Sequence, residues 1–373
     1  MQVELIDPRG DVAPYARQLA AALASAGADV RLLTAPFVHG RLEEASGVEL
    51  VEAFHRRSGR IERPLLRALA RPLEHTLDSV RHRRTAAPAV RHYQWLPYEP
   101  VDPWLLPAPG PRVLTLHNVL RRRGPLAAPR YLRALARRFD RLIVHTSAAA
   151  ERLQAAGVPA RQVFVHPHPA FTHLVHLAHQ RPLPAELAAP TAPVVLYFGS
   201  VRPYKGLDVL LKAIQSLSNI ELWIVGRPLT GTLERERRLA SRARCRVRFV
   251  EHYVDDAEVA AIFAHADLVV LPYRAIDQSG VLALAIGFGR AAIASDIGGF
   301  GELARAHGYP RTVPAGDASA LARALGELAE DEQARRLLGE RARALAEGEL
   351  SVRAVAERLL GLYRCLIEEH RTR

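Results

Sequence analysis

Val194-Val195-Leu196-Tyr197-Phe198-Gly199-Ser200-Val201-Arg202-Pro203-Tyr204-Lys205-Gly206-Leu207-Asp208 is an apolar run that stops at a glycine. It then crosses a loop carrying two cations and resumes with helical spacing near Gly206. A strand, a glycine-containing loop and a helix start are the parts of an anion site. Backbone N–H groups at the helix start and the charges of Arg202 and Lys205 suit a diphosphate.

Further apolar runs follow at 221–225, 247–250, 268–271 and 292–294, with helical stretches at 206–217, 231–243, 255–265 and 279–288 between them. This alternation predicts a parallel sheet with helices on both faces. A second loop, Asp277-Gln278-Ser279-Gly280-Val281-Leu282, leads from one strand into a helix of small residues, and its first N–H groups would face the same ligand. Gly298-Gly299 permits another close backbone approach.

The pattern also runs toward the N-terminus. Val3–Ile6, Val30–Leu33, Val113–Leu116, Leu142–Val144 and Val163–Val165 read as strands, with a helix over Tyr15–Leu23. Pro8-Arg9-Gly10-Asp11 breaks the first strand. The Pro- and Ala-rich text from Gln180 to Pro193 reads as a linker. Two α/β domains are predicted, over about 1–175 and 190–352. From Ala318 to about His370 the tail reads as successive helices, and its last part, about 355–373, is the candidate to pack back on the first domain.

Composition narrows the class. A chain of 373 residues, half hydrophobic and a quarter charged, can bury two cores. Cys245 and Cys365 are too few and too far apart for a disulfide framework or a thiolate zinc site, which suits a reducing cytoplasm. The charged run at Met1–Asp7 does not resemble a signal peptide, and no stretch of about 20 apolar residues occurs. Of the net charge of +12, residues 1–170 carry +10. Arginines are densest at Arg56-Arg57, Arg81–Arg84, Arg121–Arg123 and Arg137-Arg138. Such a face attracts anionic lipid, nucleic acid or a phosphorylated acceptor, and it is equally the surface expected of any arginine-rich chain.

Phe198–Asp208, Gln278-Ser279-Gly280 and Ala292–Gly299 with Glu302 together resemble the donor half of the family 4 glycosyltransferases. The likeness is strong over about 194–305 and looser before it. There Thr115-Leu116-His117-Asn118 resembles the family's histidine motif, and Val165-His166-Pro167-His168-Pro169 its strand before the linker. The resemblance implies the GT-B fold, two doubly wound Rossmann-like domains facing a central cleft. It also implies metal-independent, retaining transfer of a hexose from a nucleotide-sugar, with no cofactor. Arg202 and Lys205 would clamp the donor diphosphate and His117 would contact the transferred sugar, making these three the catalytic residues. Gly10 would approach the diphosphate from the first domain. Ser200, Gly226, Asp277, Gln278 and the backbone of Ser279, Gly280 and Val281 would complete the donor site, with Val254 beside the base.

Two departures stand out. Many members place the arginine where this chain has Ser200, and two glutamates eight apart would fall here at Ile276 and Leu284. Leu284 leaves the ribose contact unassigned; Asp277 can partly replace the first glutamate. Asp255-Asp256 reads as a helix cap rather than a metal pair. His166 and His168 have a spacing metals use, without a carboxylate or cysteine close in sequence.

A GT-B sugar-nucleotide epimerase or phosphorylase would need a carboxylate-rich site or a lysine-anchored cofactor, and neither pattern occurs. A catalytically silent nucleotide-sugar binder would account for Leu284. Nucleic acid is the weaker partner, because few aromatics interleave the arginines. The acceptor is not written in the sequence, and UDP- and GDP-sugars are both open as donors. Helices over Pro64–Arg84 and Ala127–Arg138, basic with apolar faces, suit an enzyme peripheral to the inner face of the membrane.

Overall fold

Val3, Leu5 and Ile6 are all but inaccessible although they point to opposite faces of one strand, so that strand is covered on both sides. This follows from parallel pairing with helical crossovers. The computed structural model describes residues 1–10, 13–37, 46–86, 89–108, 110–119, 124–228 and 231–372. The Arg121–Arg123 cluster and Asp11 lie outside these. The chain divides into two compact units, Met1–Pro167 with Val352–Arg373, and His168–Ser351.

The first unit holds β1 (Gln2–Asp7), α1 (Ala13–Ser25), β2 (Asp29–Thr34), β3 (Val48–Glu52), α2 (Pro64–Thr85), β4 (Val90–Tyr93), β5 (Arg112–Thr115), α3 (Pro129–Ala136), β6 (Arg141–Val144), α4 (Ser147–Ala155) and β7 (Val163–Val165). The sheet order is β3-β2-β1-β4-β5-β6-β7, all parallel, so the strand order reverses between β1 and β4. Ligands of doubly wound sheets bind outside the carboxyl ends of the strands at such a reversal.

Sequence periodicity does not find β3 or β4. The first is a largely exposed edge, and the second buries Val90-Arg91-His92-Tyr93 completely. Polar residues survive inside β4 because each has a partner. Arg91 Nε donates to Glu4 Oε2 at 3.2 Å. His92 meets the Tyr363 hydroxyl and Thr115 Oγ1, both at 2.6 Å. Tyr363 belongs to the C-terminal helix Val352–Arg371, which inserts Val355, Leu359, Tyr363 and Leu366 into this unit's core. That helix also ties its end to β6 through Arg141–Glu369 and, at 2.9 Å, His370–Asp140.

The second unit repeats the plan with β8 (Val194–Phe198), α5 (Leu207–Ala213), β9 (Glu221–Val225), α6 (Glu234–Ala240), β10 (Arg246–Val250), α7 (Asp256–His265), β11 (Leu268–Leu271), α8 (Gly280–Gly287), β12 (Ala291–Ser295), α9 (Gly298–His307), β13 (Arg311–Val313), α10 (Ala318–Glu330) and α11 (Glu332–Glu347). The parallel order β10-β9-β8-β11-β12-β13 reverses between β8 and β11. The three-residue β13 is too short to show a period.

The Pro- and Ala-rich stretch expected as a linker is packed against this unit. Arg248 donates to the carbonyls of Glu186 and Ala188 at 2.9 and 2.8 Å. The change of unit instead falls at Pro167/His168, where the Phe171 N–H donates to the Ala283 carbonyl at 3.0 Å. Proline and alanine mark a break in secondary structure, which is not the same as a break in packing.

The first unit also sets the acid limit of stability. Burial pushes His145 down to about 4, and His92 and His166 down to about 3, from the ordinary 6.5. Below about pH 6.5 the unfolded chain takes up protons that these folded imidazoles refuse. Stability is therefore complete above that pH and falls as pH drops toward 4, by up to about 1.4 kcal/mol per pH unit for each histidine. Hydrogen exchange at pH 5 should open β4 relative to pH 7 while β8 stays protected. Equal loss in both strands would contradict this account.

Candidate functional site

The loop after β8 is built around glycines that admit no side chain. Gly199 lies at φ +93°, and a Cβ there would stand 2.8 Å from Lys205 Nζ and 3.7 Å from Val281 Cγ2. Gly226, at the end of β9, approaches so closely that its Cβ would meet the Gly199 carbonyl oxygen at 2.3 Å. Gly206, at φ +68°, would place a Cβ 1.9 Å from the Pro272 carbonyl oxygen. The loops after β8, β9 and β11 therefore touch backbone to backbone at the strand reversal.

Lys205 is the cation inside this arrangement. Its residue is 7% exposed, and its ammonium lies 5.6 Å from the Tyr273 ring centroid. Burial and the tyrosine face beside it restrict this ammonium more than the surface would restrict a lysine. Arg202 contrasts with it: exposed, extended in backbone, and without an ion-pair partner among the described residues. Arg227, directly after Gly226, is a second exposed cation at this rim, and its carbonyl accepts the Val201 N–H at 3.1 Å. The sequence reading missed it, although Gly-Arg at a strand end was the available signal.

Arg274 was also missed, and it fixes the Lys205 loop. Its guanidinium makes two bonds to the Asp208 carboxylate, at 2.8 and 2.7 Å, and a third to the Pro203 carbonyl at 2.9 Å. Its backbone N–H donates to the Tyr204 carbonyl at 2.7 Å. The guanidinium hydrogen bonds hold the Asp208 carboxyl below its usual range. A fork of this kind constrains geometry more than a point charge would.

The second predicted loop joins the same place. Ser279 caps α8, its Oγ accepting the Val281 N–H at 3.2 Å, so the N–H groups at the start of that helix adjoin Gly199 and Lys205 through Val281. Asp277 is buried and its carbonyl accepts the Gly299 N–H at 3.0 Å, linking this loop to the one after β12. Ile276 and Leu284, at the positions of the missing glutamates, are core residues. Ser200 and Gln278 are half-buried beside the site, and Val254 is buried in the loop before α7. Asp255 caps α7 in a reciprocal capping box with Glu258, the expected role for that acidic pair.

Gly10 and His117 belong to the first unit. Gly10, at φ +68°, turns the chain after β1. His117 follows β5, with the rings of Tyr15 and Trp95 at 5.3 and 5.6 Å. Its Nδ1 is 3.2 Å from His145 Nε2, and His145 Nδ1 is 2.9 Å from the His166 carbonyl oxygen. A carbonyl only accepts, so His145 Nδ1 carries the proton. His145 is neutral because burial has lowered its basicity, which makes its Nε2 an acceptor. His117 must then donate from Nδ1, which in a neutral ring places the lone pair on Nε2. His166 itself bonds the Val355 carbonyl at 2.9 Å through Nε2, a structural role.

Two family models match the chain, "Glycosyltransferase Family 4" over residues 12–172 and "Glycosyl transferases group 1" over 192–331. The chain belongs to the family 4 glycosyltransferases. A GDP-mannose:glycolipid 4-beta-D-mannosyltransferase of Xanthomonas campestris is 32% identical over 130 residues, which are 34% of this chain and 37% of that protein. The match thus spans little more than a third of that relative's length. Sucrose-phosphate synthase from Thermosynechococcus elongatus superposes with a TM-score of 0.74 at 22% identity, covering 99% of this chain and 100% of that one. Anabaena HepE, solved with UDP and glucose, gives 0.74 at 20% identity, covering 98% of this family member and all of HepE. These likenesses assign the GT-B fold.

Proposed function

We propose that this family member transfers a sugar from a UDP- or GDP-sugar to an acceptor hydroxyl with retention at the anomeric carbon. The buried Lys205 ammonium beside Gly199 at the β8/β11 reversal carries this reading. The anomeric C–O bond to the diphosphate breaks, a C–O bond to the acceptor forms, and the acceptor proton leaves with the products. Negative charge grows on the departing diphosphate. Lys205, Arg202 and the amides at the start of α8 stabilise it, with no reorganisation needed at the moment of reaction. Gly226 and Ser200 keep the backbone close to the phosphates. His117 meets a sugar hydroxyl through Nε2, and His145 acts as the positioning residue that holds its Nδ1. A UDP-bound structural neighbour and a relative named for GDP-mannose support the donor class.

Release of nucleoside diphosphate from a panel of UDP-, GDP-, ADP- and dTDP-sugars tests the transfer. Turnover of one donor names the nucleotide, whereas silence with no binding by calorimetry would sink the proposal in favour of a lost donor site. Proton coupling constants of the product decide the stereochemistry. The 4-beta-D linkage in the name of the Xanthomonas relative makes this the decisive point, because a β-product from an α-donor excludes retention.

A further inference from the structure

α2 is folded inside out. Its five leucines all face solvent, Leu65 at 82%, Leu69 at 72%, Leu73 at 71% and Leu77 at 66% exposure, with Leu66 beside them. The side turned to the protein is polar. Glu74 accepts the backbone N–H groups of Arg57 and Ser58 at 2.8 and 2.6 Å, and Asp78 accepts that of His55 at 3.0 Å. His75 pairs with Asp102 at 2.8 Å and His82 with Glu4 at 3.1 Å. An amphipathic helix serving only the fold would show the opposite arrangement. α3 does so, with Leu132 and Leu135 in the core and Arg130, Arg133 and Arg137 outside, so the apolar face expected of that helix is already covered.

The stripe from Leu65 to Leu77 runs about 18 Å at 1.5 Å per residue. Arginines flank both of its ends: Arg63 before it and Arg67 in its first turn, Arg81, Arg83 and Arg84 after. The acids of the helix are turned inward and occupied. Exposed Trp104 sits by the C-terminal end, where Arg83 donates to its carbonyl at 3.1 Å and the Arg138 guanidinium stacks 3.7 Å from its ring centroid.

We infer that the leucine face of α2 docks on an anionic lipid surface, with the leucines entering the acyl boundary and the flanking arginines meeting the headgroups. A tryptophan at the edge of the patch suits the interfacial layer. A second copy of the same face fits less well, because parallel or antiparallel self-pairing sets arginines against arginines. Nucleic acid offers nothing to cover five leucines.

Co-sedimentation of the full chain with vesicles tests this without any sugar donor, so the result is independent of the transfer reaction. Binding is expected to vesicles of equal parts phosphatidylglycerol and phosphatidylcholine at low salt, and not to pure phosphatidylcholine. Leu69→Asp with Leu73→Asp should weaken it by at least about tenfold. These side chains are exposed, so circular dichroism and thermal unfolding should not change. Arg63→Glu with Arg84→Glu should weaken it as well, leaving the leucines intact. No binding to the anionic vesicles, or equal binding by the leucine double variant, overturns the inference. So does concentration-dependent dimerisation that the leucine substitutions abolish, since a second copy would then be the occupant.

Discussion

Lys205→Ala lowers nucleoside-diphosphate release from the productive donor by about 10- to 150-fold, the kinetic equivalent of losing one charge-assisted contact of roughly 1.5–3 kcal/mol. The full effect is expected because this ammonium is held in a buried place beside Gly199 rather than waving in solvent. Lys205→Arg should rescue little. A planar guanidinium presents its donors in a fixed fork, unlike the compact ammonium it would replace. The fall should appear in kcat/KM, with thermal unfolding measured alongside to show that the variant is folded. A well-folded alanine variant keeping more than about a third of wild-type turnover would remove Lys205 from the diphosphate clamp. Arg202→Ala is expected to have the smaller effect, since an exposed side chain must first be ordered.

Gly206→Ala should cost about 2–5 kcal/mol and lower the unfolding temperature of the second unit by at least about 5 °C. Two terms add. A non-glycine residue at φ +68° is strained, and the new methyl would lie 1.9 Å from the Pro272 carbonyl oxygen, forcing the β8 and β11 loops apart. Gly231→Ala separates these terms. Gly231 has φ +72° but nothing within 4 Å of the added carbon, so it should show only the conformational part, about 1–2 kcal/mol. Scanning calorimetry of the two variants decides the matter. Equal losses would mean that the close approach of the two loops contributes nothing to stability. Donor affinity should fall with Gly206→Ala alone, because it moves the segment that carries Lys205.

The strands that could be read from sequence are those whose residues all agree. β8, β11 and β12 are continuous apolar runs bounded by turns, as buried parallel strands must be. β4 could not be read, because Arg91 and His92 look wrong for a core until Glu4, Thr115 and Tyr363 are brought to them from distant places in the chain. Arg274 escaped for a related reason. An arginine in a loop is unremarkable until Asp208, 66 residues earlier, is found to be its partner.

Local order along the chain was thus enough to determine the α/β alternation, the repeat of that plan in two halves, and the glycine-bounded turn after β8 that carries Arg202 and Lys205. Each depends on neighbours within about a dozen residues, over which backbone preference and hydrophobic period act. Tertiary structure alone decided which side of α2 faces water, which tautomer His145 imposes on His117, and that the last helix completes the first unit's core. The sequence shows that α2 has an apolar and a polar side. Glu4 and Asp102, which bind its histidines, and the His55, Arg57 and Ser58 N–H groups, which bind its acids, turn the polar side inward and leave the leucines outside.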